Sequence, residues 1–249
     1  MKALITGASS GIGRDMAKIL GSMGYDLILV ARRKARLEEL KETIHTNVTI
    51  IPMDISSTYN CMKLYNKVKD EDIEIVINNA GFGLYGEFIE TSVDKELDMI
   101  DLNIKSIHIL TKLFLQDFDK KNRGYILNVA SMAGFMPGPM MATYYATKAY
   151  VLRLTEAINY ELKKRGSNVY LGALCPGPIK TEFEKNAEVE FTAKKMESME
   201  VAKYAIKKMF KDKKVIIPGF SMKLARFASK ITSDNHLCRI AYNSQRKKG

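Results

Sequence analysis

Cysteine and histidine are scarce in this chain, and tryptophan is absent. The 249 residues include three cysteines, Cys61, Cys175 and Cys238, which lie far apart and form no C-x-x-C pair. An odd number at wide spacing argues against a disulfide framework and is typical of a reducing, cytoplasmic environment. The three histidines are equally scattered and no H-E-x-x-H sequence occurs, so nothing predicts a metal site.

Long apolar runs are also missing. The first run, Ala3–Ile5, has three residues, whereas the apolar part of a secretory signal peptide needs roughly 7–15. The run Leu27–Ala31 has the length of a strand and is far shorter than the ~20 residues that span a bilayer. We therefore expect a soluble chain with neither a leader nor a membrane span.

The positive charge is concentrated at one end. The net charge is +11, yet residues 1–193 hold 24 basic and 24 acidic side chains, while residues 194–249 hold 15 basic and 4 acidic ones. The whole surplus of eleven charges therefore lies in the last 56 residues. The hydrophobic content of 46% and the charged content of 27% are ordinary for a globular protein with a substantial core.

Short apolar runs alternate with longer amphipathic segments. The predicted strands are Lys2–Thr6, Asp26–Val30, Val48–Ile51, Ile73–Ile77, Gly124–Val129, Val169–Leu174 and Val215–Ile217. The predicted helices cover about residues 11–23, 34–45, 57–70, 94–120, 142–165 and 195–211. The strand runs are continuously apolar, as expected for strands buried on both faces. Strand–helix alternation predicts one α/β domain, residues 1–249, with about seven parallel strands flanked by helices.

A glycine-rich segment, Thr6 to Gly13, directly follows the first strand and opens the first helix. Glycines allow a tight turn and a close approach of backbone to a pyrophosphate, and the helix N-terminus presents free N–H groups. The segment therefore predicts a dinucleotide phosphate site. The alternative is a glycine-rich turn without a ligand.

The second strand leads directly into a run of positive charge, Arg32-Arg33-Lys34, and carries no carboxylate at its end. An acidic residue there would bind the ribose 2′-OH and repel a 2′-phosphate. Guanidinium groups suit a phosphate, and Arg14 offers a second contact. This favours NADP(H), the alternative being a solvated basic start to the next helix.

A tyrosine and a lysine four residues apart, Tyr144 and Lys148, lie on one face of a predicted helix. An ammonium near a phenol favours the phenolate, so we expect Lys148 to lower the pKa of Tyr144. Ser131 lies 13 residues before Tyr144, at the end of a predicted strand, and Asn103 lies on the long helix before that strand. Tyr145 has the wrong spacing for the same role and is expected to line the pocket or to pack on the sheet.

Four motifs together resemble those of the short-chain dehydrogenase/reductase family over residues 1–181. They are T-G-x-x-x-G-x-G, N-N-A-G at residues 78–81, Y-x-x-x-K, and P-G-x-x-x-T at residues 176–181. The resemblance implies a doubly wound, Rossmann-like fold and the catalytic set Asn103, Ser131, Tyr144 and Lys148. It assigns these positions to the cofactor: Gly7, Ser9, Ser10, Gly11, Ile12, Gly13, Arg14, Arg32, Arg33, Asp54, Asn79, Ala80, Gly81, Tyr144, Lys148, Pro176, Gly177, Ile179 and Thr181.

The resemblance also implies particular roles. Ser131 would hold the substrate oxygen, Asn103 a relay water, Asp54 the adenine ring and Thr181 the carboxamide. The expected activity is that of an NADP(H)-dependent carbonyl or oxoacyl reductase acting on a small-molecule carbonyl or alcohol, in a homodimer or homotetramer. The alternatives are an NAD(P)-linked alcohol or hydroxysteroid dehydrogenase working oxidatively, and a nucleotide-sensing regulator without catalysis.

Two segments bear on the substrate and on partners. Residues 176–194 begin Cys175-Pro176-Gly177-Pro178 and are predicted to form a substrate loop, since two prolines prevent a helix. Residues 218–249 form a basic C-terminal extension with apolar residues at steps of four, three and four. They are Phe220, Leu224, Phe227 and Ile231.

Three interpretations of this extension stay open. The apolar face packs on its own domain or on a partner subunit, it rests on an anionic membrane surface, or the charge attracts an acidic substrate or carrier. No nucleic-acid-binding motif accompanies the charge, so no nucleic-acid partner is predicted. Residues 245–248 are expected to be frayed.

Overall fold

A computed structural model describes residues 1–187 and 195–246 of the chain. Its strands are β1 (Lys2–Thr6), β2 (Asp26–Ala31), β3 (Val48–Pro52), β4 (Ile73–Asn78), β5 (Tyr125–Val129), β6 (Tyr170–Leu174), β7 (Ile179–Lys180), β8 (Met196–Glu197) and β9 (Val215–Ile216). Its α-helices are α1 (Gly11–Ser22), α2 (Lys34–Glu42), α3 (Thr58–Val68), α4 (Val93–Ile100), α5 (Ile107–Lys121), α6 (Ala142–Lys164), α7 (Phe183–Ala187), α8 (Ser198–Met209), α9 (Phe220–Ile231) and α10 (Asp234–Gln245).

Seven strands form one sheet in the order β3-β2-β1-β4-β5-β6-β9, and every neighbouring pair is parallel. The predicted doubly wound, Rossmann-like α/β fold is therefore confirmed. The chain first builds outward from β1 to β3 and then returns to place β4 on the other side of β1. This reversal opens a crevice at the carboxyl ends of β1 and β4, where ligands bind in such sheets.

Both faces of the sheet are buried, which explains the continuous apolar runs. Ile5 points to one face and packs with Met16 and Leu20 of α1. Leu4 points to the other and packs with residues of α3 and α5, among them Phe114. Consecutive strand residues alternate between faces, and each fully buried side chain contributes about 1.5–3 kcal/mol to stability.

The long helix predicted over residues 94–120 is divided in three. Between α4 and α5 the chain forms one wide π-helical turn, Asp101–Ser106. Insertions of this kind occur inside α-helices and are frequent at functional sites. The turn contains Asn103, and the apolar pattern did not distinguish it from ordinary helix.

The C-terminal part differs from expectation in two ways. The predicted fraying at Gln245 is wrong, because α10 runs to Gln245 and that residue is buried. The predicted apolar stripe on α9 exists, but it does not pack on its own domain, since its four side chains are 59 to 81% exposed. Residues 247–249 and residues 188–194 of the predicted substrate loop lie outside the described residues.

The helices of the described segments include none that combines the length and the apolarity needed to cross a bilayer. A small second sheet pairs β7 with β8 in parallel, Ile179 opposite Met196. β7 lies near the start of the predicted substrate loop, residues 176–194, and β8 lies just beyond its end. The expectation of no helix in this loop is wrong, because α7 forms once the two prolines are passed.

Candidate functional site

A cleft of about 770 Å³ lies at the carboxyl edge of the sheet. It brings together 18 of the 21 residues that the sequence assigned to the site. They are Gly7, Ser9, Ser10, Gly11, Ile12, Arg32, Arg33, Asp54, Asn79, Ala80, Gly81, Ser131, Tyr144, Lys148, Pro176, Gly177, Ile179 and Thr181. Gly13, Arg14 and Asn103 are not among its lining residues.

The glycine turn shapes one part of the cleft. Gly7 and Gly11 have positive φ angles of 65° and 53°, which side chains other than glycine adopt only with strain. A Cβ atom on Gly11 would also lie 3.0 Å from a methyl carbon of Thr181. Ser10, the residue that caps α1, makes no side-chain hydrogen bond to the helix, and the first turn carries no acidic residue. The turn therefore leaves helix N–H groups available to an anion.

Gly13 lies where α1 passes the end of β4. A side chain at this position would overlap the Asn79 amide, which donates hydrogen bonds to the backbone oxygens of Thr6 (3.0 Å) and Gly7 (3.2 Å). The Thr6 hydroxyl in turn accepts the backbone N–H groups of Asn79 and Ala80, at 3.0 and 3.1 Å. Gly13 thus permits close packing of the helix on this turn, and the N-N-A-G segment both supports the sheet and lines the cleft.

Arginines lie at the end of β2, beside the glycine turn. The Arg32 guanidinium is 3.9 Å from the Asp54 carboxylate, and both side chains are largely exposed. Arg33 donates to the Ser9 hydroxyl at 3.1 Å and to Glu182 at 2.8 Å. Hydrogen bonds from Arg33 and from Arg36 hold the pKa of Glu182 below its usual value. Glu182 lines the cleft, but sequence reasoning missed it because it follows Arg33 by 149 residues.

Arg14 is oriented differently from the prediction. Its guanidinium contacts the buried Asp15 carboxylate at 2.9 Å through two nitrogens. Asp15 also accepts a hydrogen bond from Ser198 of α8. Arg14 therefore belongs to a link between α1 and α8 rather than to the lining of the cleft.

The chemical end of the cleft holds Tyr144, Ser131 and Lys148. Tyr144 is buried on α6, and the Ser131 side chain is close enough to its phenol to act on the pKa of Tyr144. Ser131 ends the segment after β5, where its hydroxyl accepts the Ala133 N–H at 3.1 Å. The Lys148 ammonium donates to the Val129 carbonyl at 2.9 Å and lies 5.9 Å from the Tyr144 ring centroid.

Burial controls the ionisation of this group. Desolvation raises the pKa of Tyr144 to about 12, with the Ser131 hydrogen bond acting in the opposite direction. Burial lowers the pKa of Lys148 to about 8. The net pKa of Tyr144 is thus raised in this state, and the lowering effect expected from Lys148 stays a prediction. The ammonium is bound to a backbone carbonyl beside the ring, and the loss of water around the phenol is the larger effect.

Asn103 is fully buried on the π-helical turn. Its amide nitrogen donates to the Phe82 carbonyl (2.8 Å) and the Thr147 hydroxyl (3.1 Å), and its amide oxygen accepts the Phe82 N–H (3.1 Å). A Cβ atom on Gly81 would lie 2.8 Å from the Asn103 oxygen and 3.4 Å from the Lys148 ammonium. The side chain therefore ties the turn after β4 to α6 immediately behind Lys148.

The remaining wall of the cleft is mostly apolar and aromatic. It includes Phe82, Met141, Tyr145, Phe183 and Gln245. The Gln245 amide donates to the Tyr145 hydroxyl at 3.0 Å, and the Tyr85 hydroxyl donates to the Gln245 carbonyl at 3.1 Å. Tyr145 was expected to line the pocket or pack on the sheet, and it lines the cleft. No local signal marks Gln245, which meets Tyr145 across 100 residues of sequence.

These residues fit a dinucleotide cofactor. The glycine turn provides a close-packed backbone cradle, the arginines provide positive charge beside it, and the phenol, hydroxyl and ammonium lie in the same cleft. In the part of the chain that the structure describes, no group of three or more histidine, cysteine or acidic side chains could hold a metal ion. The arrangement suits proton transfer next to a bound nicotinamide.

Comparisons with known proteins agree with this geometry. The sequence profile described as short chain dehydrogenase matches residues 1–190. An uncharacterized oxidoreductase of Staphylococcus epidermidis is 34% identical over 203 residues, covering 80% of this chain and 86% of that protein. A very-long-chain 3-oxoacyl-CoA reductase-B of Danio rerio is 29% identical over 191 residues, covering 74% of this chain and 61% of that protein.

Solved structures share the fold over nearly the whole chain. A short-chain dehydrogenase from Sphingobium yanoikuyae in complex with NADPH is 31% identical, with a TM-score of 0.82 over 93% of this chain and 96% of that one. A short-chain dehydrogenase/reductase from Burkholderia phymatum in complex with NAD has the same TM-score of 0.82 over 90% and 91%, at 23% identity. At that identity the second likeness shows the fold alone.

Proposed function

The chain belongs to the short-chain dehydrogenase/reductase family of oxidoreductases, and we propose that it is an NADP(H)-dependent reductase of a ketone, aldehyde or oxoacyl group. One observation carries the proposal. Tyr144 lines the same cleft as Ser131, the glycine turn and the arginines that follow β2, and the Lys148 ammonium lies 5.9 Å from its ring centroid. One cleft would therefore hold both the phosphates of the cofactor and the group that donates the proton.

NADP(H) is proposed because of the charge at the end of β2. Arg32 and Arg33 line the cleft there, and β2 itself ends without a carboxylate. Asp54 is near Arg32 but 3.9 Å from it and exposed, so it leaves the guanidinium accessible to a 2′-phosphate. A nicotinamide cofactor, when bound, would supply or accept the hydride.

Proton transfer would be the work of Tyr144. With a pKa raised to about 12, the phenol keeps its proton at neutral pH and can donate it to the oxygen of a carbonyl being reduced. Ser131, which lines the cleft together with Tyr144, would hold that oxygen. The Lys148 ammonium would stabilise the phenolate left behind.

The proposed substrate class rests on the aromatic wall beside Tyr144. Phe82, Tyr145 and Phe183 present aromatic surface beside Tyr144, which suits an apolar carbonyl compound. The likeness to a 3-oxoacyl-CoA reductase supports the oxoacyl choice. An alcohol or hydroxysteroid dehydrogenase working oxidatively is the second candidate, and its preference for NAD would distinguish it. A homodimer or homotetramer and a cytoplasmic location stay predictions.

The test is Tyr144→Phe. We expect this variant to bind NADPH with nearly unchanged affinity, because the ring is kept, and to lose turnover, because the proton is gone. NADPH consumption would be followed across aldehydes, ketones, oxoacyl-thioesters and steroids, and binding by NADPH fluorescence. A variant with full turnover on the wild-type substrate would refute the role of Tyr144.

A further inference from the structure

The helix α9 carries its apolar residues on the outside. Phe220, Leu224, Phe227 and Ile231, called here the α9 stripe, are 59 to 81% exposed, and no residue of α9 is buried. At about 100° per residue these four positions fall along one side of the helix. Contiguous apolar surface of this kind marks an interaction site in a soluble fold.

The opposite side of α9 is the one that contacts the protein. The Arg226 guanidinium lies over the Phe135 ring, 4.1 Å from its centroid. Met222 lies against Gly177, which lines the cleft, so closely that a side chain on Gly177 would overlap it. The orientation is therefore held by specific contacts, and the stripe faces away from the sheet.

Positive charge accompanies the stripe. Lys223 and Lys230 each precede a stripe residue, so on a helix they lie along one flank of it. Both are exposed, and the Lys223 ammonium also lies 5.5 Å from the Tyr204 ring centroid at the edge of the protein contact. The helix contains no acidic residue, and residues 218–246 hold five basic side chains against one acidic side chain. Long lysine side chains beside an apolar face extend their ammonium groups toward anionic headgroups.

We propose that α9 is a docking surface for an anionic lipid membrane, with the α9 stripe inserted at the level of the headgroups and Lys223 and Lys230 against the lipid phosphates. Binding would place α9 between the bilayer and the Gly177 side of the cleft. The surface and its test depend only on α9, so they stand apart from the catalytic proposal.

A second copy of the chain suits this surface less well. In a two-fold symmetric dimer the same patch meets itself, so the lysines of one α9 would approach those of the other. With no acidic residue on α9 to pair with them, that contact would be repulsive. A bilayer offers both the apolar depth and the negative charge.

The experiment is sedimentation of the full-length protein with lipid vesicles. We expect the protein to pellet with vesicles containing about 30% phosphatidylglycerol at about 0.05 M salt, and much less at about 0.5 M salt or with phosphatidylcholine alone. Absence of binding to the anionic vesicles at low salt would overturn the proposal.

Variants locate the surface. Phe220→Ser with Phe227→Ser should weaken vesicle binding at least about tenfold, with an unchanged melting temperature because both side chains are exposed. Tyr59→Ser with Tyr160→Ser, which removes two similarly exposed rings on α3 and α6, is the control and should bind like the wild type. Equal binding by both double variants would overturn the proposal.

Charge reversal separates a lipid surface from a second copy. Lys223→Glu with Lys230→Glu should abolish binding to anionic vesicles. Sedimentation velocity of the same variants, without lipid, gives the oligomeric state. A wild-type dimer that Phe220→Ser with Phe227→Ser dissociates, together with no vesicle binding, would assign the stripe to the dimer and refute the membrane proposal.

Discussion

The cofactor preference can be tested by replacing Arg32 with alanine and using Lys34→Ala as the matched control. The two side chains are 73% and 68% exposed, but only Arg32 lines the cleft. If Arg32 binds the 2′-phosphate, its removal should weaken the binding of NADPH and leave the binding of NADH nearly unchanged. Lys34, which pairs with Glu38 at 3.4 Å, should affect neither.

The size of the effect follows from the exposure of the guanidinium. Two unit charges 4 Å apart interact by ~1 kcal/mol in bulk water and ~4 kcal/mol near a protein surface. Because Arg32 is largely solvated, we expect Arg32→Ala to lose about 1–2 kcal/mol of NADPH binding free energy. This loss raises the NADPH dissociation constant roughly 5–30-fold. At ionic strengths near ~0.5 M screening should reduce the difference between variant and wild type.

The assay is a fluorescence titration of each protein with NADPH and with NADH, at low and at high salt. Three results would refute the phosphate role of Arg32. They are equal weakening of both cofactors in Arg32→Ala, equal weakening of NADPH in Lys34→Ala, or an effect that does not change with salt.

Further variants test other parts of the site. Lys148→Met should abolish turnover yet raise stability below pH 8 by up to about 3 kcal/mol, because burial lowers the wild-type pKa from 10.5 to about 8. The gain in stability should shrink as pH rises from 8 to 10.5, because Lys148 of the folded wild type is then neutral. Urea unfolding at several pH values measures this gain, and a constant gain would contradict the prediction. Gln245→Ala should raise KM for the carbonyl substrate several-fold without changing NADPH affinity, since Gln245 bonds Tyr145 at 3.0 Å; an unchanged KM would contradict a role in the substrate wall. Gly11→Ala and Gly166→Ala both place alanine at positive φ and should each lose about 1 kcal/mol of stability. Only Gly11→Ala should weaken NADPH binding, because Gly11 lines the cleft, whereas Gly166 does not and has nothing within 4 Å of an added Cβ. Equal NADPH binding by the two variants would contradict the role of the glycine turn as a cradle.

Much of the fold could be predicted because its signals are local. Strands such as Lys2–Thr6 are buried on both faces, so their apolar runs are continuous and readable without a structure. The spacing of its glycines predicted the glycine turn, because the strand, the tight turn and the helix follow one another along the chain. The pair Tyr144 and Lys148 was readable for the same reason, as one turn of helix separates them.

Residues joined across the sequence were not predictable. Glu182 meets Arg33 across 149 residues and Gln245 meets Tyr145 across 100, and no repeating pattern records such pairs. Arg14 illustrates the opposite error. It was placed near the phosphates by its position after the glycines, but a buried carboxylate next to it in sequence holds it elsewhere.

The seven strands of the main sheet and most of the helices between them were readable from the chain alone. So were the glycine turn, the spacing of Ser131, Tyr144 and Lys148, and the apolar stripe on α9. The three-dimensional packing was needed to learn that burial raises the pKa of Tyr144 and that the α9 stripe faces outward. The physical reason is the same in both cases. Periodicity states which residues share a face, whereas exposure to water depends on what the rest of the chain places against that face.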